Sequence, residues 1–226
     1  CMGWFIFLAG VALVFSPAKR AFMFWGVYIH EMGHAIASLL IGGGVRGVRL
    51  NPDGSGHTVS VEEFQMGLSG AIRGVFTRTF VLLAGYTHAG LVGFIAAVAS
   101  CYGGLPTQVM LSVSAVVCVL SLVVTRGWRA VAAALATASV CAACVRWSLK
   151  PEAVLGLGAS IASIDGLRSS LGLHTSRHER GDSSDPGQLA ETTFIPVKVW
   201  TMFFLIWNTA AVAACAVLLT GLVKLP

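Results

Sequence analysis

Charge is scarce in this chain. Only 11% of its 226 residues are Asp, Glu, Lys or Arg, against about 25% in globular proteins. With 56% hydrophobic residues, that scarcity excludes an ordinary soluble domain and makes this a membrane protein before any motif is read. Long polar regions are missing too. No polar stretch exceeds about forty residues, too short for an appended soluble domain. Nor is there a dense basic patch: the net charge of +5 is scattered through short loops. It reads as membrane topology and excludes nucleic acid as a partner. A disulfide framework is also lacking. Of Cys1, Cys101, Cys118, Cys141, Cys144 and Cys215, four lie within apolar spans, where they act as small buried residues. Cys141 and Cys144 form C-x-x-C inside an alanine-rich helix with no partner pair, which is core packing. No inverted repeat supports a transporter, and six separate histidines do not make the cluster a di-iron oxidase needs. The first apolar stretch has no A-x-A-like cleavage site after it. Because the chain begins at Cys1, that first span is expected to be cut short.

What is present centres on residues 21–41, AFMFWGVYIHEMGHAIASLLI. At 1.5 Å per residue this stretch crosses a bilayer, yet its middle carries His30, Glu31 and His34. A central acidic residue costs about 2.5–3.5 kcal/mol on insertion scales, so these groups require a partner, and a metal is the obvious one. H-E-x-x-H on a helix puts His30 and His34 one turn apart on one face, where both imidazoles reach one zinc ion. Glu31, about 100° round the helix, reaches a zinc-bound water without ligating the metal. Zinc lowers the pKa of that water and the glutamate takes its proton. The competing reading is a buried polar cluster, or a site that has lost its activity.

Hydrophobic runs predict an all-α polytopic membrane protein of about six to seven transmembrane helices, with a short β-hairpin after the motif helix. The expected spans are 3–15, 21–41, 79–100, 106–125, 128–147, 153–165 and 194–222, with a polar loop over 166–193. Residues 1–226 then form a single membrane-embedded domain. The hairpin is read from VRGVRLNPDGSGHTVSV, which alternates apolar and polar around a turn at Asn51-Pro52-Asp53-Gly54.

The run HEMGHAIASLLIGGGVRGVRLNPDGSG resembles the site-2 protease family of intramembrane zinc metallopeptidases, and within it the compact bacterial branch. The likeness covers the N-terminal hundred residues well and the C-terminal third in outline. It implies a Zn2+-dependent peptidase with Glu31 as general base, acting on a membrane-anchored protein within the lipid bilayer of a bacterial plasma membrane. In that family the strands lie beside the zinc and are thought to offer an edge to the substrate, here Val45, Gly47, Val48 and Leu50. An unwound transmembrane substrate needs such backbone partners. A structural cap on the membrane face is the alternative. His57 in this hairpin is not expected to be a ligand. The segment AGYTHAG resembles the family's A-G-Y-x-G-P element, with His88 and Ala89 in place of glycine and proline. His88 is expected to bond a neighbouring backbone rather than the metal.

A catalytic zinc takes three protein ligands and one open position. The family supplies the third from a later aspartate. Ile164-Asp165-Gly166 resembles its L-D-G element, although the usual upstream Asn and Pro are absent. Ser184-Asp185 within SSDPGQLA resembles the S-D-A-x-x-L-A element of the compact branch. Asp165 is preferred, with Asp185 the alternative. Asp185 can equally N-cap the following helix. Ten basic residues against five put the C-terminal end of the motif helix in the cytoplasm, if 153–164 crosses, and the family's site also faces that way. The rival functions are a non-catalytic metal-binding scaffold or chaperone and a metal transporter. An intact Glu31 weighs against the scaffold, because structural zinc needs no general base. Oligomeric state has no signature in the sequence.

Overall fold

A computed structural model describes residues 2–17, 19–61, 68–147 and 150–222. In chain order these form α1 (Met2–Phe15), α2 (Lys19–Leu40), β1 (Gly44–Leu50), β2 (Gly56–Val61), α3 (Leu68–Tyr102) and α4 (Gly104–Ser121), then β3 (Thr125–Arg126), α5 (Trp128–Trp147), α6 (Pro151–Thr175), α7 (Asp185–Thr193) and α8 (Val197–Thr220). The protein is an all-α membrane protein with one small sheet. Among the described residues, four helices are long and apolar enough to cross a bilayer: α3 from Arg73, α4, α5 and α8, while α1 is a shorter apolar helix.

The helices α2 and α6 fall outside that apolar class because ionisable groups interrupt them. Packing puts those groups inside. α3 runs between α2, α6 and α8, and α6 is further covered by α1. Every residue from Ala159 to Gly166 on α6 is buried, and they are mostly small, so the neighbouring backbones come close. Gly10 of α1 stands against Ser160, and Gly93 of α3 against Ala159 and Ser163. The outer faces show the reverse pattern. Val109, Val113, Val116 and Leu120 lie exposed along one stripe of α4, at the three- and four-residue spacing of a helix face. Lipid is the solvent that such a stripe suits.

The expected hairpin is present. β1 and β2 pair antiparallel from Gly44↔Val61 to Leu50↔Gly56, with a bulge between Val45 and Gly47. Asp53 closes the turn by accepting from the Ser55 amide at 2.9 Å. A third strand, β3, joins parallel to β1 at Val48 and Arg49, giving the order β2-β1-β3. This corrects the assignment of Val45, Gly47, Val48 and Leu50 to an edge: β1 is the central strand, and among the described residues β2 carries the free edge. Thr125 of β3 falls at the end of a stretch read as a span, 106–125, and Arg126 in the connection after it. That helix stops at Ser121, where Thr125 Oγ1 turns back to the Ser121 carbonyl at 2.7 Å.

Two further boundaries differ. α6 continues to Thr175, and 185–193 is a helix, so the stretch read as a polar loop is largely helical. The apolar run 194–222 starts its helix only at Val197, after Phe194 ends α7 with a left-handed backbone (φ 62°).

Candidate metal centre and active site

On α2, His30 and His34 present their Nε2 atoms to the same point, 3.1 Å apart. His34 is oriented from behind: its Nδ1 donates to the Val81 carbonyl of α3 at 2.7 Å. That bond fixes the tautomer and leaves Nε2 with a lone pair. α3 can come this near because two glycines face each other's helix. A Cβ on Gly33 would meet the Ala84 carbonyl and His88 Cβ, both at 2.7 Å, and one on Gly85 would meet Cε1 of both imidazoles at 2.6 Å.

The third donor arrives from α7. Asp185 Oδ2 lies 3.3 Å from His30 Nε2 and 3.2 Å from His34 Nε2. The alternative of Asp185 as the helix cap is replaced: Ser184 is the N-cap, its Oγ accepting from the Gly187 amide at 3.2 Å. Asp185 is the first helical residue, and its carboxylate is free to turn inward. In the preceding loop, Asp182 receives the Ser184 and Glu179 amides at 2.9 and 3.0 Å. Its partial burial works against the charge, but these bonds and His178 hold its carboxyl below the usual range.

The donor set fits a zinc ion. Four donors arranged tetrahedrally at about 2.0–2.1 Å from one ion stand roughly 3.3–3.4 Å from each other, and this triangle has edges of 3.1, 3.2 and 3.3 Å. Asp185 Oδ2 is buried and makes no hydrogen bond, although two ring nitrogens are near. Such an orphaned atom suits a cation between the three donors. Burial alone would raise the Asp185 carboxyl. The adjacent imidazoles of His34 and His30 overcome that and hold it well below the ordinary carboxylate value.

Asp165, the residue preferred from sequence, stands elsewhere. It is buried on α6, paired with Arg168 at 3.1 Å, and it faces Gly26 of α2. Gly26 is one turn before His30 and two before His34, so Asp165 meets α2 on the N-terminal side of the imidazole pair. Among the described residues, the cluster of possible ligands is His30, His34 and Asp185. His88 packs against Gly33 and His57 is exposed on β2; neither belongs to it.

Glu31 is buried beside the histidines. Thr58 of β2 donates to its carboxylate Oε2 at 2.5 Å and also approaches its backbone carbonyl at 3.1 Å. Gly56 passes directly against the same carboxylate. Nothing local in the sequence marks Thr58: its role depends on the hairpin folding back over α2. All these groups open onto one cavity of about 960 Å³, which Tyr86 and Asp165 also line.

An all-α membrane fold with two imidazoles, an aspartate and a neighbouring glutamate converging in an internal cavity defines a membrane metallopeptidase type of site. The family model described as Peptidase M50B-like matches residues 4–215. The chain belongs to that family, the site-2 protease family of membrane metallopeptidases. Neither the curated proteins nor the solved structures compared with it gave a match.

Proposed function

We propose that this protein is a zinc endopeptidase, a single membrane-embedded domain that cuts membrane-anchored proteins near the cytoplasmic face of a bacterial plasma membrane. His30, His34 and Asp185 are the proposed ligands, and Glu31 is the general base. The observation that carries this reading is the donor triangle of 3.1–3.3 Å with Glu31 at its side.

Zinc, when bound, supplies a Lewis acid and a water of lowered pKa. The protein does the rest. His34 holds its ring through Val81, so Nε2 stays directed at the site. Thr58 holds one oxygen of Glu31, which leaves the other to take a proton from the attacking water and return it to the leaving amine. β2 passes Glu31 with Gly56 and Thr58, and its outer edge, unpaired among the described residues, offers backbone groups to an unwound substrate segment. Two histidines and one aspartate leave a fourth position open. A structural zinc site would close it, so the non-catalytic scaffold is the weaker reading.

The test compares wild type with Glu31→Gln, Asp165→Asn and Asp185→Asn, purified in detergent, for metal content and for cleavage of a membrane-anchored substrate. Wild type should hold about one zinc per chain and cleave. Glu31→Gln should keep zinc and lose cleavage, Asp185→Asn should lose both, and Asp165→Asn should keep its zinc. Glu31→Gln cleaving as fast as wild type would end the peptidase reading.

A further inference from the structure

Tyr86 stands at the metal centre with its polar atom unused. Its ring meets His30 edge to face, centroids 4.5 Å apart, and lies 4.9 Å from the Phe204 ring on the other side. Its backbone is held as well: Asn208 Nδ2 donates to the Tyr86 carbonyl at 3.1 Å, and Trp207 Nε1 to the Thr87 carbonyl at 3.1 Å. A residue gripped at ring and backbone has little freedom to move its phenol. That phenol lines the cavity and hydrogen-bonds to no described residue. Its hydroxyl is therefore available to whatever enters the cavity.

Several other donors around the cavity are committed. Thr58 Oγ1 serves Glu31, Arg168 serves Asp165, and Arg78 reaches Gln188 at 3.4 Å. His34 Nδ1 is occupied by Val81. Attack of water on a peptide carbonyl needs one more donor. As the new C–O bond forms, the carbonyl π pair moves onto oxygen and the water proton passes to Glu31. The C–N bond then breaks, and Glu31 returns the proton to the amine. Charge develops on the carbonyl oxygen, and a fixed neutral donor there stabilises the transition state more than the ground state.

We propose that Tyr86 is a catalytic residue of this protein, its phenol donating a hydrogen bond to the scissile carbonyl oxygen as that carbon becomes tetrahedral. This rests on the peptidase reading above and extends it to a residue that the zinc motif does not contain. The phenol keeps its proton throughout.

Tyr86→Phe tests it, because the ring and its packing on His30 remain and only the donor is lost. Removing such a donor costs on the order of 10²–10³ in kcat. The expected result is a kcat lowered by about that factor, with KM and zinc content those of wild type. A readout without turnover accompanies it. Affinity for a phosphinic peptide, which mimics the tetrahedral carbon, should fall in step with kcat/KM. Affinity of Glu31→Gln for uncut substrate should not change when Tyr86→Phe is added. A kcat within about threefold of wild type, or zinc lost together with activity, would overturn the proposal. A wild type that neither binds zinc nor cleaves overturns the peptidase reading and this proposal with it. A zinc-loaded, active wild type beside an equally active Tyr86→Phe overturns this proposal alone.

Discussion

Replacing Gly85 by alanine is the sharpest test of how α3 and α2 build the centre together. The new methyl would stand 2.6 Å from Cε1 of both His30 and His34. Carbon atoms in contact prefer about 3.5–4.0 Å, so the shortfall is roughly 1 Å on two ligand rings at once. α3 has no easy retreat, since Gly33 already brings α2 to within van der Waals distance of Ala84 and His88. Turning His34 aside breaks its 2.7 Å bond to Val81, worth about 1 kcal/mol. Overpacking of this kind costs about 1–3 kcal/mol. Expressed on metal binding, about 1.4–3 kcal/mol is a roughly ten- to hundredfold weaker zinc affinity. Competition with a chelator in detergent measures it, and Gly158→Ala is the control because nothing lies within 4 Å of that position. If Gly85→Ala holds zinc as tightly as Gly158→Ala, the close approach described here is not what shapes the site.

Two other outcomes follow from the same geometry. Thr58→Val removes the donor that fixes the Glu31 carboxylate; kcat should fall by about tenfold, a loss of roughly 1.4 kcal/mol, while zinc content is unchanged, and a kcat equal to wild type would mean that β2 does not orient the base. In metal-free protein, the Asp185 carboxyl lies below its ordinary value. The stability it contributes to α7 docking is therefore complete above about pH 4 and lost as pH falls through the folded-state value. Limited proteolysis of 176–184 should accelerate over that acid range and not above it, and an acceleration already present near neutral pH would refute the attribution to Asp185.

Local chemistry was legible from the residues alone. The H-E-x-x-H spacing and the turn at Asn51-Pro52-Asp53-Gly54 are consequences of short-range pattern, so they survive whatever the rest of the chain does. Membrane class was equally plain, because 11% charged residues cannot cover a soluble surface. The choice between two aspartates was not. Asp165 and Asp185 each sit in a plausible motif, and only the packing of α6 against Gly26 and of α7 against the histidines separates them. Position along a helix axis is decided by neighbours distant in sequence, here by small residues that let backbones touch.

The same reason explains the strand edge. A hairpin has two edges, and which of them stays free among the described residues depended on β3, a two-residue strand separated from β1 in the chain by β2, α3 and α4. Thr58 and Tyr86 belong to this second category as well. Each acts on α2 from another element, through a 2.5 Å hydrogen bond and a 4.5 Å ring contact. By itself the sequence determined the membrane setting, through its scarcity of charge, and the clustering of His30, Glu31 and His34 on α2, because one helical turn brings those three side chains together. Tertiary structure alone decided the third donor, the free edge and the residues that hold base and cavity, because those arise where helices far apart in the chain converge.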